Sequence, residues 1–290
     1  MLSGKKQNGN NAHISSPSLL INIPTSEHPF PLLMNFNELN AHPRDPFLSF
    51  DAESHTYTLG DRTLSSVTTI VEDCFPKFDA DYWAARKAPA MGLSPAELKA
   101  QWEANARHSR NLGTAMHEKI ERYYLGEDAG DDGDAYTLFR HFAAAERLYP
   151  YRTEWRIYME DYGVAGTLDF LERRPDGTFN IYDWKRSRKL IATDGTVEQT
   201  NRYGKRGFFP VGHLHDCSYY HYALQLSIYR FILENAYGIP VTHLKLGVFH
   251  PDYSMAYIVP VPYLRSEAEA VLRNYASQVA YMEKWAGSVC

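Results

Sequence analysis

The strongest constraint on the chain is a hairpin that sets two aspartates against each other. Residues 164–173 and 179–185 both read as strands, joined through the turn Arg174-Pro175-Asp176-Gly177. If the loop holds three residues, Pro175-Asp176-Gly177, then Asp169 falls directly opposite Asp183; a loop one residue longer or shorter slips the pairing by one. Directly opposed residues bring their Cβ atoms to about 4.5–5.5 Å, where like charges repel. Lys185, two residues after Asp183, projects from the same face. Both acids stand in apolar runs, Thr167-Leu168-Asp169-Phe170-Leu171 and Ile181-Tyr182-Asp183-Trp184-Lys185, where an unpaired charge is costly. They need a partner. A hard divalent cation, Mg²⁺ or Mn²⁺, prefers carboxylate oxygens, and an ammonium beside it can hold or deprotonate a water. The plainer alternative is a surface salt-bridge hairpin.

At 290 residues the chain is long enough for one elaborated domain, or one domain and a small lobe. No apolar run approaches the roughly 20 residues that cross a bilayer, so no membrane partner is expected. Residues 1–16 are polar, lack the apolar core of a secretory signal and read as a disordered tail. An intracellular protein is expected, cytoplasmic or nucleoid/nuclear, not secreted. Cys74, Cys217 and Cys290 are widely spaced, which argues against a disulfide framework or a CxxC zinc site, and an iron–sulfur cluster would need a fourth thiolate. The formal net charge of −5 speaks against a nucleic-acid partner, but two local basic patches speak for one: Lys185, Arg186, Arg188 and Lys189, then Arg202, Lys205 and Arg206.

The order of elements excludes a doubly wound dinucleotide fold. Residues 17–50 are Pro-rich and read as extended chain on the surface, followed by short strands at 56–59 and 62–64 around Gly60-Asp61. Ser94-Pro95-Ala96-Glu97 is a helix start, with a Ser cap, Pro at the first position and Glu three residues on. That helix is expected to end near Arg107, with a second over 112–125 stopped by Gly126 and a third over 134–148 closed by Pro150. Strands at 153–159, 164–173 and 179–185, a basic irregular segment to Asp216, a helix over 219–237, strands at 243–250 and 256–261 and a helix from Ser266 complete the chain. This predicts a mixed α/β (α+β) class.

Four motifs occur in order. Gly113-Thr114-Ala115-Met116-His117 lies on a helix that also carries Glu121 one turn later; Gly163-Val164-Ala165-Gly166-Thr167-Leu168-Asp169 and Asp183-Trp184-Lys185 lie on strands; Gln225 and Tyr229 share a helix face. Singly, each has an ordinary structural explanation. As an ordered series they resemble the PD-(D/E)XK nuclease superfamily, in particular its RecB-like exonuclease branch, which includes CRISPR-associated RecB-like and mitochondrial genome-maintenance exonucleases. The motifs cover residues 113–229, and Ser65-Ser66-Val67-Thr68-Thr69-Ile70 extends a weaker similarity. The four-cysteine cluster of some relatives and a helicase motor are missing from this pattern.

The resemblance implies a restriction-endonuclease-like core, a central mixed sheet flanked by helices, over residues 111–290, with an N-terminal extension and helical lobe over 17–110. It implies His117, Asp169, Asp183 and the backbone carbonyl of Trp184 as ligands of Mg²⁺ or Mn²⁺. Lys185 would position or activate water, Gln225 and Tyr229 would orient the lysine and contact the substrate strand, and Glu154 would have a supporting role. Glu121, Arg186 and Arg188 are further candidates for substrate binding or support. The expected activity is hydrolysis of DNA phosphodiester bonds, as an exonuclease on DNA ends or single strands in repair, recombination or replication, with replication or recombination proteins as possible partners. Tyr203, Phe208, Phe209, Tyr219 and Tyr220 could stack a single strand, or could simply be core aromatics under a surface loop. The competing expectations are a structure-specific endonuclease of the same fold and a non-catalytic nucleic-acid-binding protein. A third is a metallohydrolase built on His213, His215 and His221, whose spacing is not a familiar zinc pattern.

Overall fold

A computed structural model describes residues 35–130 and 133–286. The expected tail over 1–16 and the first part of the Pro-rich stretch lie outside these residues. The remainder of that stretch is more regular than extended chain: a short helix α1 (Phe36–Leu39), capped by Asn35, precedes strand β1 (Leu48–Asp51). Strand β2 (Thr56–Leu59) follows as expected, while β3 (Arg62–Ser66) runs two residues past the expected end at 64 and directly into helix α2 (Val67–Asp73). Ser66 makes that switch, its hydroxyl accepting the Thr69 amide. Helix α3 (Ala80–Lys87) leads to Ser94, where the capping box forms in full: Ser94 Oγ accepts from the Glu97 amide and Glu97 accepts from the Ser94 amide.

The two helices expected after Ser94 are one. Helix α4 (Pro95–Leu125) runs 31 residues without a break and ends at Gly126 in the left-handed region. Residues 103–111 are exposed all round, which removes the apolar stripe that would have joined the two halves in the sequence. Gly113 costs this helix only about 1 kcal/mol relative to alanine, too little to end it. The boundary expected between 110 and 111 therefore falls inside one helix. Helix α5 (Asp134–Ala145) stops three residues short of the expected end, and Pro150 opens strand β4 (Pro150–Met159).

Strands β5 (Val164–Arg173) and β6 (Phe179–Lys185), helix α6 (Ser218–Ala236), strands β7 (Val241–Val248) and β8 (Tyr257–Val261) and helix α7 (Arg265–Ala286) complete an eight-stranded mixed sheet with helices on both faces. The chain is thus of mixed α/β class, and β1–β3 join the same sheet as the later strands. Ile181, Leu244 and Leu246 pack with Leu224, Ile228 and Ile232 of α6 in the larger core. Phe170, Tyr182 and Trp184 pack with Met116, Ile120 and Tyr124 of α4 and Phe139 of α5 in a second, aromatic core. Burying each of these large side chains contributes about 1.5–3 kcal/mol. Together they fix α4 and α6 relative to β5 and β6. Among the described residues no helix is long and apolar enough to cross a membrane.

The pairing of β5 is uneven, and the unevenness makes the site. β4 pairs antiparallel along one edge of β5 from Pro150 to Met159. The other edge is shared: β3 pairs parallel at Val164 and Ala165, and β6 pairs antiparallel from Arg173 back to Phe170. Between them, residues 166–169 have no strand partner on that edge. The β5–β6 register is the one that a three-residue loop sets, with Phe170 opposite Tyr182, but the ladder stops there, one residue short of Asp169 and Asp183.

Candidate active site

Three carboxylates follow from that register. Thr153 pairs with Phe170 and Trp155 with Leu168, which puts Glu154 of β4 opposite Asp169 on one side. Asp183 of β6 is opposite Asp169 on the other by continuation of the ladder. Glu154 is held with φ +45°, a left-handed conformation that costs a non-glycine residue of order 1–2 kcal/mol.

The open edge receives groups from helices on both faces. From α4, the His117 ring sits across the gap: Nε2 is 2.8 Å from the Trp184 carbonyl, and Nδ1 is 3.5 Å from Glu154 Oε1 and 3.6 Å from Asp169 Oδ2. The Trp184 amide donates to Asp169 Oδ2 at 2.7 Å, so both backbone groups that would have continued the β5–β6 ladder point at site residues instead. One ligand atom from each of His117, Glu154 and Asp169 lies within 4.8 Å of the other two. Their side chains are 26%, 29% and 10% exposed, so a solute can reach them.

Asp183 occupies a different environment. Its side chain is 2% exposed, its Oδ2 lies 2.6 Å from Lys185 Nζ outside hydrogen-bonding alignment, and its Oδ1 accepts a long 3.3 Å hydrogen bond from Gln225 Nε2. Gln225 also points Nε2 at the Tyr229 hydroxyl, 3.3 Å away. The Lys185 ammonium lies 4.6 Å from the centre of the Tyr222 ring, which adds a cation–π contact. Tyr222 was not among the sequence candidates. It lies three residues before Gln225 and seven before Tyr229, on the same helical face, and that spacing was the available signal.

Tyr229 reaches the site because of Gly166. A Cβ at residue 166 would come within 2.6 Å of the Tyr229 ring. The glycine thus gives the aromatic side chain its place against the unpaired edge of β5. Next to it, Thr167 Oγ1 is 2.8 Å from the Tyr57 hydroxyl of β2.

The electrostatics reflect an excess of negative charge. Burial raises the Asp183 carboxyl, the nearby Asp169 charge raises it further and Lys185 opposes both, leaving it at about 6. Burial likewise raises Asp169, against the attraction of His117 and with the repulsion of Glu154. Burial acts to lower His117, but Asp169 and Glu154 outweigh it and push the imidazole up to about 9. Lys185 is held above the usual lysine range: burial opposes its charge, and Asp183 and Asp169 overcome that opposition.

Other sequence candidates lie elsewhere. Glu121 is one turn beyond His117 but outside the ligand cluster; its carboxyl is raised by burial and by Glu127, while Arg156 opposes. Arg188 pairs with Asp252 on the surface at 3.1 Å, and Arg186 acts on His250. The three histidines form no shared centre among the described residues: His213 meets Glu267 at 3.0 Å, His221 meets Asp216 at 2.9 Å, and His215 Nδ1 faces the Asn201 amide.

No protein-family model matches the chain. No curated protein matches it either. Among solved structures it is similar to one described as the crystal structure of SSO0001, with a TM-score of 0.33 and 15% identity over 74% of this chain and 75% of that chain. A likeness of that size carries no functional information.

Proposed function

We propose that the protein is a Mg²⁺- or Mn²⁺-dependent nuclease that hydrolyses DNA phosphodiester bonds and acts on DNA ends or single strands. The observation that carries this reading is the convergence of His117, Glu154 and Asp169 at the open edge of β5, beside the buried Asp183–Lys185 pair. The donor set fits a hard divalent cation: two carboxylates and an imidazole, reachable from solvent, with a net negative surround that a cation relieves. His117, Glu154 and Asp169 would hold it, with Asp183 and the Trp184 carbonyl as the adjoining oxygen donors. When bound, such a cation polarises a phosphoryl oxygen and lowers the pKa of a coordinated water.

The protein's own groups supply the rest. Lys185, cationic across the neutral range, presents an ammonium that can orient an attacking water or balance negative charge developing on the phosphoryl group. Asp183 and Tyr222 fix that ammonium in place, and Gln225 fixes Asp183 in turn. Of the sequence-derived support residues, Glu154 moves into the proposed ligand set and Glu121 moves out.

The test is digestion of 5′- and 3′-labelled single- and double-stranded DNA with Mg²⁺, Mn²⁺ or EDTA, alongside Lys185→Ala. Cleavage in either metal, its loss in EDTA and its loss in the variant are expected. Equal cleavage by wild type and Lys185→Ala would sink the assignment.

A further inference from the structure

The segment between β6 and α6 begins beside Lys185 and returns at the helix that carries Tyr222 and Gln225. Within it, residues 201–216 form a tightly tied loop. Asn201 Oδ1 accepts the amides of Tyr203 and Lys205, and its Nδ2 donates to the Asp216 carbonyl. The Gly207 amide donates to Leu214 O, Arg206 donates through Nη1 to His213 O at 2.6 Å, and Val211 and Leu214 are buried in the core. Gly207 is pressed so closely on Val211 and the Cys74 carbonyl that an added Cβ would come within 2.8 Å of the valine.

This anchored loop presents aromatic rings to water. Phe209 is 84% exposed, Phe208 54% and Tyr203 65%, and Phe78 stands 63% exposed four residues from Cys74. By contrast Tyr219 and Tyr220, the other two aromatics of the segment, pack against the core. The Phe208 amide donates to Cys74 O at 2.7 Å, which ties the loop to the chain leading into Phe78. The same loop carries Arg202, whose guanidinium lies 4.8 Å from the Tyr203 ring centre, Lys205 and Arg206. The nearby acids are partly answered: Asp216 by His221, Glu267 by His213 and Asp73 by Lys77. A chain of contacts connects the loop to the proposed site. Phe208 touches Cys74, Phe75 stacks on His221 at 3.9 Å, and the next residue of α6, Tyr222, lies under the Lys185 ammonium.

We infer that Phe208 and Phe209, on the cationic loop 201–216, form a stacking platform for the bases of single-stranded DNA as it approaches the site. Exposed rings on a fixed backbone pay little ordering entropy on binding, and every base offers a π-face. Flanking Arg and Lys residues suit the backbone phosphates. A paired duplex hides its base faces in the stack, so the platform discriminates for single strands. The inference rests on the nuclease reading for its direction, because it gives the site the chemical class of its substrate.

The test is fluorescence anisotropy in EDTA, where no metal-dependent cleavage competes, with a labelled single strand of about 20 nucleotides and a blunt duplex of the same length. The variants are Phe209→Ala and Phe208→Ala/Phe209→Ala. Wild type should prefer the single strand, and the double variant should lose about tenfold or more of that affinity while duplex affinity and the melting temperature stay unchanged. Phe209→Leu, which keeps an apolar side chain without the ring, should fall with alanine. Equal single-strand binding by wild type and double variant overturns the inference, as does an equal loss on both substrates, or a wild type that binds neither. If binding depends on the phenylalanines but no DNA is cut in Mg²⁺ or Mn²⁺, the platform stands and the nuclease reading falls. If DNA is cut but the variants bind as wild type, the reverse holds.

Discussion

Asp45 and Asp183 are both carboxylates drawn out of water beside a basic side chain, and their surroundings differ in kind. Asp45 Oδ2 accepts from Arg152 at 2.8 Å and from the His42 amide at 2.8 Å, while Oδ1 accepts from the Trp155 indole at 2.8 Å. The Arg152 guanidinium also lies over the Trp155 ring, and its Nη1 donates to the Asn40 carbonyl. Burial works against ionisation of Asp45, but these donors more than offset it and hold the carboxyl below the usual range. Asp183 has one lysine at ionic distance and a long bond from Gln225, with two further carboxylates across the neighbouring strands. Its carboxyl is pushed up. One arrangement makes the fold; the other leaves charge for something else to neutralise. Mutations should therefore act on stability with opposite signs in the two places.

The largest effect expected is on cleavage. Asp169→Asn removes a ligand candidate without changing side-chain size, and activity in Mn²⁺ should fall by on the order of a thousandfold. Asp45→Asn should leave single-turnover rates near wild type. It should instead destabilise the fold by about 1–3 kcal/mol at neutral pH, because Arg152, itself only 9% exposed, loses its charge partner. A carboxyl with a depressed folded pKa stabilises fully above its unfolded value and loses that contribution as pH falls through the folded one. The Asp45→Asn penalty should then be constant from neutrality down to about pH 4 and shrink below it. Urea unfolding of both proteins across that range checks the sign; a penalty that grows on acidification would break the comparison.

The next effect reverses direction. In EDTA, Asp169→Asn should be more stable than wild type, because burial and the Glu154 charge hold the Asp169 carboxyl above its usual range against the attraction of His117. Adding Mn²⁺ well above its Kd should raise the melting temperature of wild type by about 5 °C and that of the variant by far less. Destabilisation of the variant in EDTA would mean that Asp169 is a structural partner of Lys185 and His117, as Asp45 is of Arg152.

The two regions also differ in how far the sequence reveals them. The hairpin register was readable because Pro175-Asp176-Gly177 limits the turn, and a strand period of two then places Asp169, Asp183 and Lys185. Gln225 and Tyr229 were readable from helical spacing, since polar groups on an apolar helix need partners. Nothing local announced that Asp45 would meet Arg152, 107 residues away. Helix α2 was hidden by its β-branched run Val67-Thr68-Thr69-Ile70-Val71, and the middle of α4 by having no buried face. Glu154 was visible as a candidate for support, but its left-handed backbone and its place opposite Asp169 arise only when β4 and β5 pair.

Glu154 gives the smallest and most discriminating test, because strain and charge can be separated there. Glu154→Gln keeps the conformation at φ +45° and removes the carboxylate. Glu154→Gly removes the carboxylate and the strain together. Glycine adopts that backbone freely but loses more chain entropy on folding, so the net gain over glutamine should be only about 0.5–1 kcal/mol. In EDTA the order of melting temperatures should be glycine above glutamine, with glutamine no lower than wild type. Both variants should lose much of the Mn²⁺-dependent rise, since both lack the carboxylate that lies 3.5 Å from His117 Nδ1. If glycine is instead the least stable of the three, the left-handed turn is held by contacts of the Glu154 side chain, and this carboxylate belongs with Asp45. If glycine is the more stable but the Mn²⁺ response survives in both, the strain is real and the ligand set is His117, Asp169 and Asp183, with Glu154 outside it.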